Sequence, residues 1–269
     1  MDLVSVVVIT YNSQDTVIET LKSVFGQTYE RLELVVSDDC SKDNTLRIVI
    51  KWVKLHKDRF ENVRIVVGKK NHGVVKNCNI GINQAKGQYV QVLSGDDILH
   101  KDAISKKYKY AEDNGKDIVF SKVEVFGENK RLVQRMEKFC QKGYCISKRG
   151  WEAQNKNIAI DNFVAGPSGS FYKKKYFMDF GGYDIRFPMV EDYPFYYKYI
   201  KNGNEIIFMD DMLIKYRVSG TSLCTSTNSA KFDRSMAKFF FLERFIELIK
   251  RREYKVAREQ FLIFIKRLF

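Results

Sequence analysis

Short β-branched runs alternate with longer segments of helical periodicity over the first 112 residues. The runs rich in valine and isoleucine predict strands at 3–9, 32–37, 63–67 and 88–93. Apolar residues at helical spacing predict helices at 15–25, 43–57, 74–85 and 102–112. Because parallel strands are joined by helical crossovers, this alternation predicts βαβ units and a mainly parallel central sheet in an α/β protein.

The rest of the sequence is less regular. We expect extended backbone at 117–126, irregular structure at 127–165 and a strand near 168–172. A short helix, a turn at Gly181-Gly182 and a helix that contains Glu191 and Asp192 should follow.

Two pairs of acidic residues follow predicted strands. Asp38-Asp39 comes after 32–37, and Asp96-Asp97 comes after the apolar run Tyr89–Gly95. Ligands of open α/β sheets bind beyond the carboxyl ends of the strands, so the two pairs suggest one shared site. Buried carboxylates are costly unless a cation meets them, which predicts a divalent metal bound with a diphosphate. The alternative for a single pair is a solvated turn or helix cap.

Several classes of protein are disfavoured by missing signals. The sequence has neither a Gly-x-Gly-x-x-Gly fingerprint nor a P-loop, which argues against a dinucleotide oxidoreductase and a P-loop ATPase. Five cysteines without a Cys-x-x-Cys spacing argue against a disulfide framework and a zinc site, and favour a reducing compartment. The first ten residues lack a basic lead and a cleavage site, so we expect no signal peptide.

The C-terminal part is basic and apolar at once. Residues 231–269 hold eleven lysines and arginines against five acidic residues, with phenylalanine, isoleucine and leucine at helical spacing between them. No run approaches the roughly 20 apolar residues that span a bilayer. We therefore predict a domain of residues 1–225 and an extension, 226–269, of amphipathic helices that lie on an anionic membrane. The alternative is that these helices pack on the preceding domain or form a homodimer contact.

An ordered set of motifs resembles the glycosyltransferases of family 2, which have the GT-A fold. The resemblance extends over roughly residues 3 to 223 and includes Asn71-His72-Gly73, Gly181-Gly182-Tyr183-Asp184, Glu191-Asp192-Tyr193 and Tyr216-Arg217. Its other segments are Val6–Asn12, Thr20–Tyr29, Glu33–Thr45, Asn79–Ile82 and Ala85–Tyr89. An ordered set is far more specific than any one motif.

The resemblance implies a donor site for a nucleoside-diphosphate sugar, with a UDP-sugar favoured. It makes Asp97 the ligand of Mn²⁺ or Mg²⁺, and Asp96 the contact to the ribose or sugar. It also makes Asp38 the acceptor for the N–H of the base, and Thr10 and Tyr11 donor-binding residues, with the Tyr11 ring stacked on the base.

The resemblance further implies transfer to a hydroxyl with inversion at the anomeric carbon. Asp192 would be the catalytic base and Glu191 would orient its neighbours, whereas the alternative is that both acids merely begin a helix. The stretch 127–165 would bind the acceptor, a glycan or a polyprenyl-diphosphate-linked oligosaccharide used for bacterial surface polysaccharide. Such an enzyme would be cytoplasmic and peripheral at the inner face of the membrane.

Two positions depart from the family pattern. Cys78 stands where many relatives carry an arginine, and we expect Lys76 to compensate near the donor phosphates. Ser219 stands where the family has a histidine that completes the metal shell, and we expect Arg217 to carry part of the charge.

Two other functions fit parts of the sequence. A metal-dependent sugar nucleotidyltransferase also uses strand-end acids, but it needs a glycine-rich basic loop, which Thr10–Ser13 is not. A nucleic-acid-binding protein would explain the net charge of +13 and the pI near 9.4. Because the charge is concentrated in the apolar C-terminal part, we expect no nucleic-acid partner.

Overall fold

The computed structural model describes residues 1–164, 166–219 and 229–268. Its strands are β1 Val4–Thr10, β2 Leu32–Asp38, β3 Asn62–Val67, β4 Tyr89–Ser94, β5 Ile98–Leu99, β6 Ile118–Phe126, β7 Ser170–Lys173 and β8 Phe208–Arg217. Its α-helices are α1 Val17–Phe25, α2 Thr45–His56, α3 Val74–Gln84, α4 Ala103–Asp113, α5 Lys130–Ser147, α6 Gly150–Ile160, α7 Lys174–Asp179, α8 Asp192–Lys201, α9 Ser229–Phe239, α10 Phe245–Lys250 and α11 Tyr254–Leu268. A 3₁₀ turn spans Pro167–Gly169, and a π-helical segment spans Phe240–Arg244.

The chain forms two compact units, which we call the sheet unit and the helical unit. The described residues of the sheet unit are 1–126, 166–182 and 207–217. Those of the helical unit are 127–164, 183–206, 218–219 and 229–268. The predicted boundary between 225 and 226 lies outside the described residues, and the division at that point stays a prediction.

The sheet unit contains one eight-stranded sheet in the order β3-β2-β1-β4-β7-β6-β8-β5. Strands β1 to β4 are parallel to one another, as are β6 and β8, whereas β7 is antiparallel to both of its neighbours. The prediction of a mainly parallel α/β sheet is confirmed. The predicted strands and helices up to residue 126 agree with the observed bounds to within two residues, although β5 was not predicted.

The core of the sheet unit lies around β1 and β2. Every residue of β2 is buried, and so are six of the seven residues of β1. Strands that are covered on both faces read as continuous β-branched runs, which explains the sequence of both strands. Helix α3 lies so close to the sheet that a Cβ on Gly81 would stand 2.6 Å from Val7 Cγ1.

The expectation of irregular structure at 127–165 is wrong for the described residues. Helices α5 and α6 occupy most of this stretch, while residue 165 lies outside the described part. Within the helical unit, a Cβ on Gly143 would stand 2.0 Å from the carbonyl oxygen of Phe163, so α5 approaches that backbone as only glycine permits. Helix α5 buries Cys140, Tyr144 and Ile146 on one face, so the stretch is helical although glycine interrupts its sequence.

The C-terminal helices pack within the helical unit. Phe239 lies among the rings of Phe187, Tyr193 and Tyr197, with centroid distances of 4.9 to 5.5 Å. The buried guanidinium of Arg244 donates to the carbonyl oxygen of Ala159 at 3.0 Å and to that of Ile160, the last two residues of α6. The predicted C-terminal helices are therefore present, and one face of them covers α6 and α8.

None of the helices that the structure describes combines the length and the apolar character required to cross a membrane.

Candidate active site

Thr10 and Asp38 lie opposite each other at the carboxyl ends of β1 and β2. The Asp38 carboxylate is buried and accepts hydrogen bonds from Thr10 Oγ1 at 2.9 Å, from the Ser41 amide at 2.9 Å and from Ser41 Oγ at 2.5 Å. A carboxylate offers about four acceptor sites, so these bonds leave room for one ligand donor. The role of Asp38 toward a nucleotide base stays a prediction.

Asp39, the second acid of this pair, is occupied by the backbone. Its two carboxylate oxygens accept from the amides of His72 and Gly73, both at 2.8 Å. Gly73 has a φ of 90°, a conformation that favours glycine, and it directly precedes α3. Asp39 thereby fixes the start of α3.

The loops that follow β1 and β2 are joined by hydrogen bonds. Asn12 donates from its amide to Ser41 Oγ at 2.9 Å and accepts from the Lys42 amide at 2.8 Å. Ser13 and Gln14 donate from their amides to Thr45 and Asp43. Asn12 and Cys40 have positive φ values of 51° and 64°, uncommon for residues other than glycine. These bonds hold both loops in shape.

The other predicted donor contacts of this region are accessible. Tyr11 follows β1 and is 45% exposed. Lys76 is exposed in the first turn of α3, whereas Cys78 is buried in the same helix. The ring of Tyr11 is therefore available for stacking, and the contact of Lys76 with phosphate stays a prediction.

The end of β4 presents Asp96 and Asp97. Asp97 is 1% exposed, accepts from Ser168 Oγ at 2.6 Å and accepts from the Arg217 amide at 2.9 Å. Burial and the neighbouring charge of Asp96 raise the pKa of Asp97 well above its ordinary value, and burial also raises the pKa of Asp96. A cation bound beside Asp96 and Asp97 would favour their ionised forms and lower both pKa values.

Arg217 brings positive charge to the same place. Its Nε donates to the carbonyl oxygen of Asp96 at 2.9 Å, its guanidinium lies 4.4 Å from the centroid of the Phe126 ring, and it pairs with Glu19. The structure thus brings Asp96, Asp97 and Arg217 together in the sheet unit.

The acidic pair suits a hard divalent ion with a limited set of protein ligands. Within the described residues, no group of three or more His, Cys, Asp or Glu side chains could hold a metal. Mg²⁺ in phosphate-handling sites is bound through one or two carboxylates, with substrate oxygens and water as the other ligands. Asp97, assisted by Asp96, fits that mode of binding.

Asp192 and Glu191 lie in the helical unit at the beginning of α8. Asp192 accepts from the Tyr193 amide at 2.6 Å and from Asn162 Nδ2 at 3.3 Å. Burial raises the pKa of Asp192 to about 6, while burial and then the Asp192 charge raise the pKa of Glu191 to about 8. In both acids, therefore, the charged form is disfavoured by burial.

Sequence reasoning did not identify the side chains that hold these acids. Ser168 bonds Asp97 from 71 residues away, and Asn162 bonds Asp192 from 30 residues away. Ser168 begins a predicted strand and Asn162 lies in a stretch predicted to be irregular, and neither position carries a local sign of a contact with a distant carboxylate.

The family model described as glycosyl transferase family 2 matches residues 5–181, which is more than half of the chain. The chain belongs to glycosyl transferase family 2. The resemblance found in the sequence is confirmed.

The curated relatives include the glycosyltransferase GlyG of Streptococcus pneumoniae, which is 24% identical over 89% of this chain and 78% of its own length. Another is WfaP of Escherichia coli, a UDP-Glc:alpha-D-GlcNAc-diphosphoundecaprenol beta-1,3-glucosyltransferase. It is 32% identical over 42% of this chain and 42% of its own length.

Solved structures share the fold of this glycosyltransferase. S. aureus TarS 1–349 in complex with UDP-GlcNAc has a TM-score of 0.66 at 20% identity, with 99% of this chain and 82% of TarS 1–349 covered. The mannosyltransferase PcManGT from Pyrobaculum calidifontis, in complex with GDP-Man and Mn²⁺, also has a TM-score of 0.66 at 20% identity, with 93% and 64% covered. The GT-A fold is therefore confirmed.

Proposed function

We propose that this glycosyltransferase moves a sugar from a UDP-sugar to a hydroxyl of a glycan or a lipid-linked oligosaccharide, with inversion, in bacterial surface polysaccharide synthesis. The observation that carries this proposal is the pair of half-buried Asp96 and buried Asp97 beside Arg217, at the strand end of a family 2 chain. The complex of TarS with UDP-GlcNAc and the lipid-linked acceptor in the name of WfaP support the donor and the acceptor class. The family match favours this activity over the nucleotidyltransferase and nucleic-acid-binding alternatives.

Residues of the sheet unit bind the nucleoside-diphosphate sugar. Asp38 and Tyr11 hold the base and Asp96 contacts the ribose or sugar, while Asp97 would hold the divalent ion. When bound, Mn²⁺ or Mg²⁺ stabilises the negative charge of the departing diphosphate as a Lewis acid. Arg217, which donates to the Asp96 carbonyl oxygen, would carry part of the positive charge at this strand end.

Asp192 of the helical unit acts on the acceptor hydroxyl. The acceptor oxygen forms the new bond to the anomeric carbon while the bond to the diphosphate breaks, and Asp192 takes the proton of the hydroxyl. The raised pKa of Asp192, which is caused by burial, makes it a stronger base than an ordinary aspartate. Glu191 lies beside Asp192 and orients its neighbours, and its own pKa is raised by burial and by the charge of Asp192.

A donor screen tests the proposal. Release of UDP, GDP and dTDP from their sugars should be followed with Mn²⁺, with Mg²⁺ and in excess EDTA. We expect release from a UDP-sugar that EDTA abolishes and added Mn²⁺ restores, and no release by Asp97→Ala. Full turnover in EDTA, or an active Asp97→Ala variant beside an unchanged Asp102→Ala control, would contradict the metal assignment.

We also propose that the outer face of the C-terminal helices rests on an anionic membrane. Large apolar side chains are 39 to 54% exposed there, namely Leu242, Ile246, Ile249, Phe261, Leu262 and Ile263. Basic residues of 250–258 stand between them in the sequence. Exposed apolar side chains interspersed with cations suit the boundary between headgroups and acyl chains.

Vesicle binding tests this surface. Binding should rise with the anionic lipid fraction, fall with salt, and be lost in Ile246→Ser/Leu262→Ser, while Leu55→Ser on α2 serves as the exposed control. Equal binding to neutral and anionic vesicles would contradict the role of the basic residues. A shift of the wild type to a dimer that the double variant abolishes would show that a second copy of the chain, rather than a membrane, covers this face.

A further inference from the structure

Lys107 is a lysine in the core of the sheet unit. Its side chain is fully buried on α4, where Nζ donates to Gln91 Oε1 at 2.8 Å and to the carbonyl oxygen of Gly169 at 3.2 Å. Burial lowers the pKa of Lys107 to about 7. Burying the amine of a lysine lowers the stability of the fold, whereas burying a methionine of similar length would not. A function of Lys107 is therefore to be sought in the contacts that its amine makes.

Gln91 extends this contact to the 3₁₀ turn Pro167–Gly169. Its Nε2 donates to the carbonyl oxygen of Ser168 at 2.8 Å and to that of Val92 at 2.6 Å, while its Oε1 accepts from Lys107. Gly169 also accepts from Ser121 Oγ at 3.3 Å. Two consecutive carbonyls of the turn are therefore held by side chains from β4, α4 and β6.

The turn carries the hydroxyl that contacts Asp97. Ser168 Oγ donates to Asp97 Oδ2 at 2.6 Å and accepts from the Ser94 amide at 3.3 Å. The Arg217 amide occupies the other oxygen, Oδ1, at 2.9 Å. With one donor on each oxygen, the plane of the Asp97 carboxylate is fixed, and the remaining lone pairs have a set direction.

We propose that Lys107 and Gln91 are positioning residues for the metal ligand: they hold the turn Pro167–Gly169, which aims the Ser168 hydroxyl at Asp97. This inference rests on the proposed function of Asp97 as the ligand of the divalent ion. Partners that orient a ligand typically contribute 10- to 100-fold to metal affinity. The action is indirect, since Lys107 reaches Asp97 through Gln91 and the turn.

The test is Mn²⁺ binding in the presence of UDP, measured by calorimetry and by electron paramagnetic resonance of free Mn²⁺. We expect Ser168→Ala and Lys107→Met each to weaken Mn²⁺ affinity about 10-fold. The double variant should be no weaker than either single variant, because both changes break one chain of contacts. Saturating Mn²⁺ should restore kcat in both, which a general loss of structure would not permit.

The matched control is Lys106→Met on the same helix. Lys106 is exposed and pairs with Asp102 and Asp211 at 3.0 and 2.8 Å, so its loss should leave Mn²⁺ affinity unchanged. Should Lys107→Met fail to fold, Gln91→Glu retains an acceptor for Lys107 and removes the donor to Ser168. It should weaken Mn²⁺ affinity to a similar extent.

The outcomes separate this inference from the proposed function. If Asp97→Ala binds Mn²⁺ as the wild type does, the metal assignment itself fails. If Asp97→Ala loses Mn²⁺ while Ser168→Ala and Lys107→Met bind normally, only the positioning role is overturned. Additive losses in the double variant would also overturn it, since Lys107 would then act independently of Ser168.

Discussion

Replacing Asp192 with asparagine should remove activity, and it should make the variant increasingly stable relative to the wild type as the pH rises. Burial raises the pKa of this carboxyl from 3.8 to about 6 in the folded protein. The folded state therefore binds the proton more tightly than the unfolded chain does, and wild-type stability is lost as the pH rises from about 4 through about 6. Asparagine does not titrate, so the variant escapes this loss.

The expected size follows from the same pKa values. One pH unit of pKa change corresponds to about 1.4 kcal/mol, so the rise from 3.8 to about 6 corresponds to about 3 kcal/mol. Asn162 Nδ2 donates to Oδ2 of Asp192, and in the asparagine variant an amide NH₂ can stand where that acceptor was. The loss of this bond would lower the stability of the variant by the same amount at every pH. The difference in unfolding free energy between variant and wild type should therefore grow by about 2 kcal/mol from pH 4 to pH 7.5, because part of the unfolded-state titration lies below pH 4.

Urea denaturation at both pH values measures this difference, and the transfer rate is measured on the same samples. The amide cannot take a proton, so turnover should fall roughly 10²- to 10⁴-fold while donor affinity by calorimetry stays near that of the wild type. A stability difference that does not change with pH would refute the burial argument. A retained rate would rule out Asp192 as the base, and a matching loss of donor affinity would place it in the donor site.

Three further predictions concern the helical unit. Arg244→Met should lower the unfolding free energy by about 2–4 kcal/mol in urea titrations, because the buried carbonyls at the end of α6 lose charged donors, whereas the exposed Arg234→Met should have little effect. Gly143→Ala should destabilise by about 1–3 kcal/mol or more through its clash with Phe163, compared with the unobstructed Gly26→Ala in thermal melts. Deletion of 231–269 should remove the cooperative melting of the helical unit by circular dichroism; a truncated protein that melts as sharply as the wild type would contradict the packing described here.

The sequence predicted best those strands and helices whose formation depends on local residue patterns. Strands β1 to β4 are β-branched because both faces of the sheet are covered, and the helices between them have ordinary apolar periodicity. Helices α5 and α6 were missed because Gly143 and Gly150 weaken the helical signal. Gly143 is required by the close approach to the Phe163 backbone, a contact that no window of sequence contains.

For the candidate site, the acids were visible in the sequence and their partners were not. Asp38 and Asp97 could be singled out because a charge directly follows a buried strand. The Arg217 amide reaches Asp97 across 120 residues, and Lys107 lies in a helix that reads as an ordinary amphipathic one. The pairing of β6 with β8, which positions Arg217, depends on the whole sheet rather than on either strand alone.

The joined loops after β1 and β2 bear on how a nucleotide would be received. A flexible loop loses conformational entropy when it closes on a ligand, at about 1–2 kcal/mol for each residue that becomes ordered. Asn12, Ser41 and Asp43 bond the two loops to each other, so the protein's own contacts order these loops and little of that cost falls on binding. The two joined loops should tolerate substitutions far better than a change in loop length, because one inserted residue would misalign the hydrogen bonds between them. Altered base preference would therefore be sought through substitutions at Tyr11 rather than through longer or shorter loops.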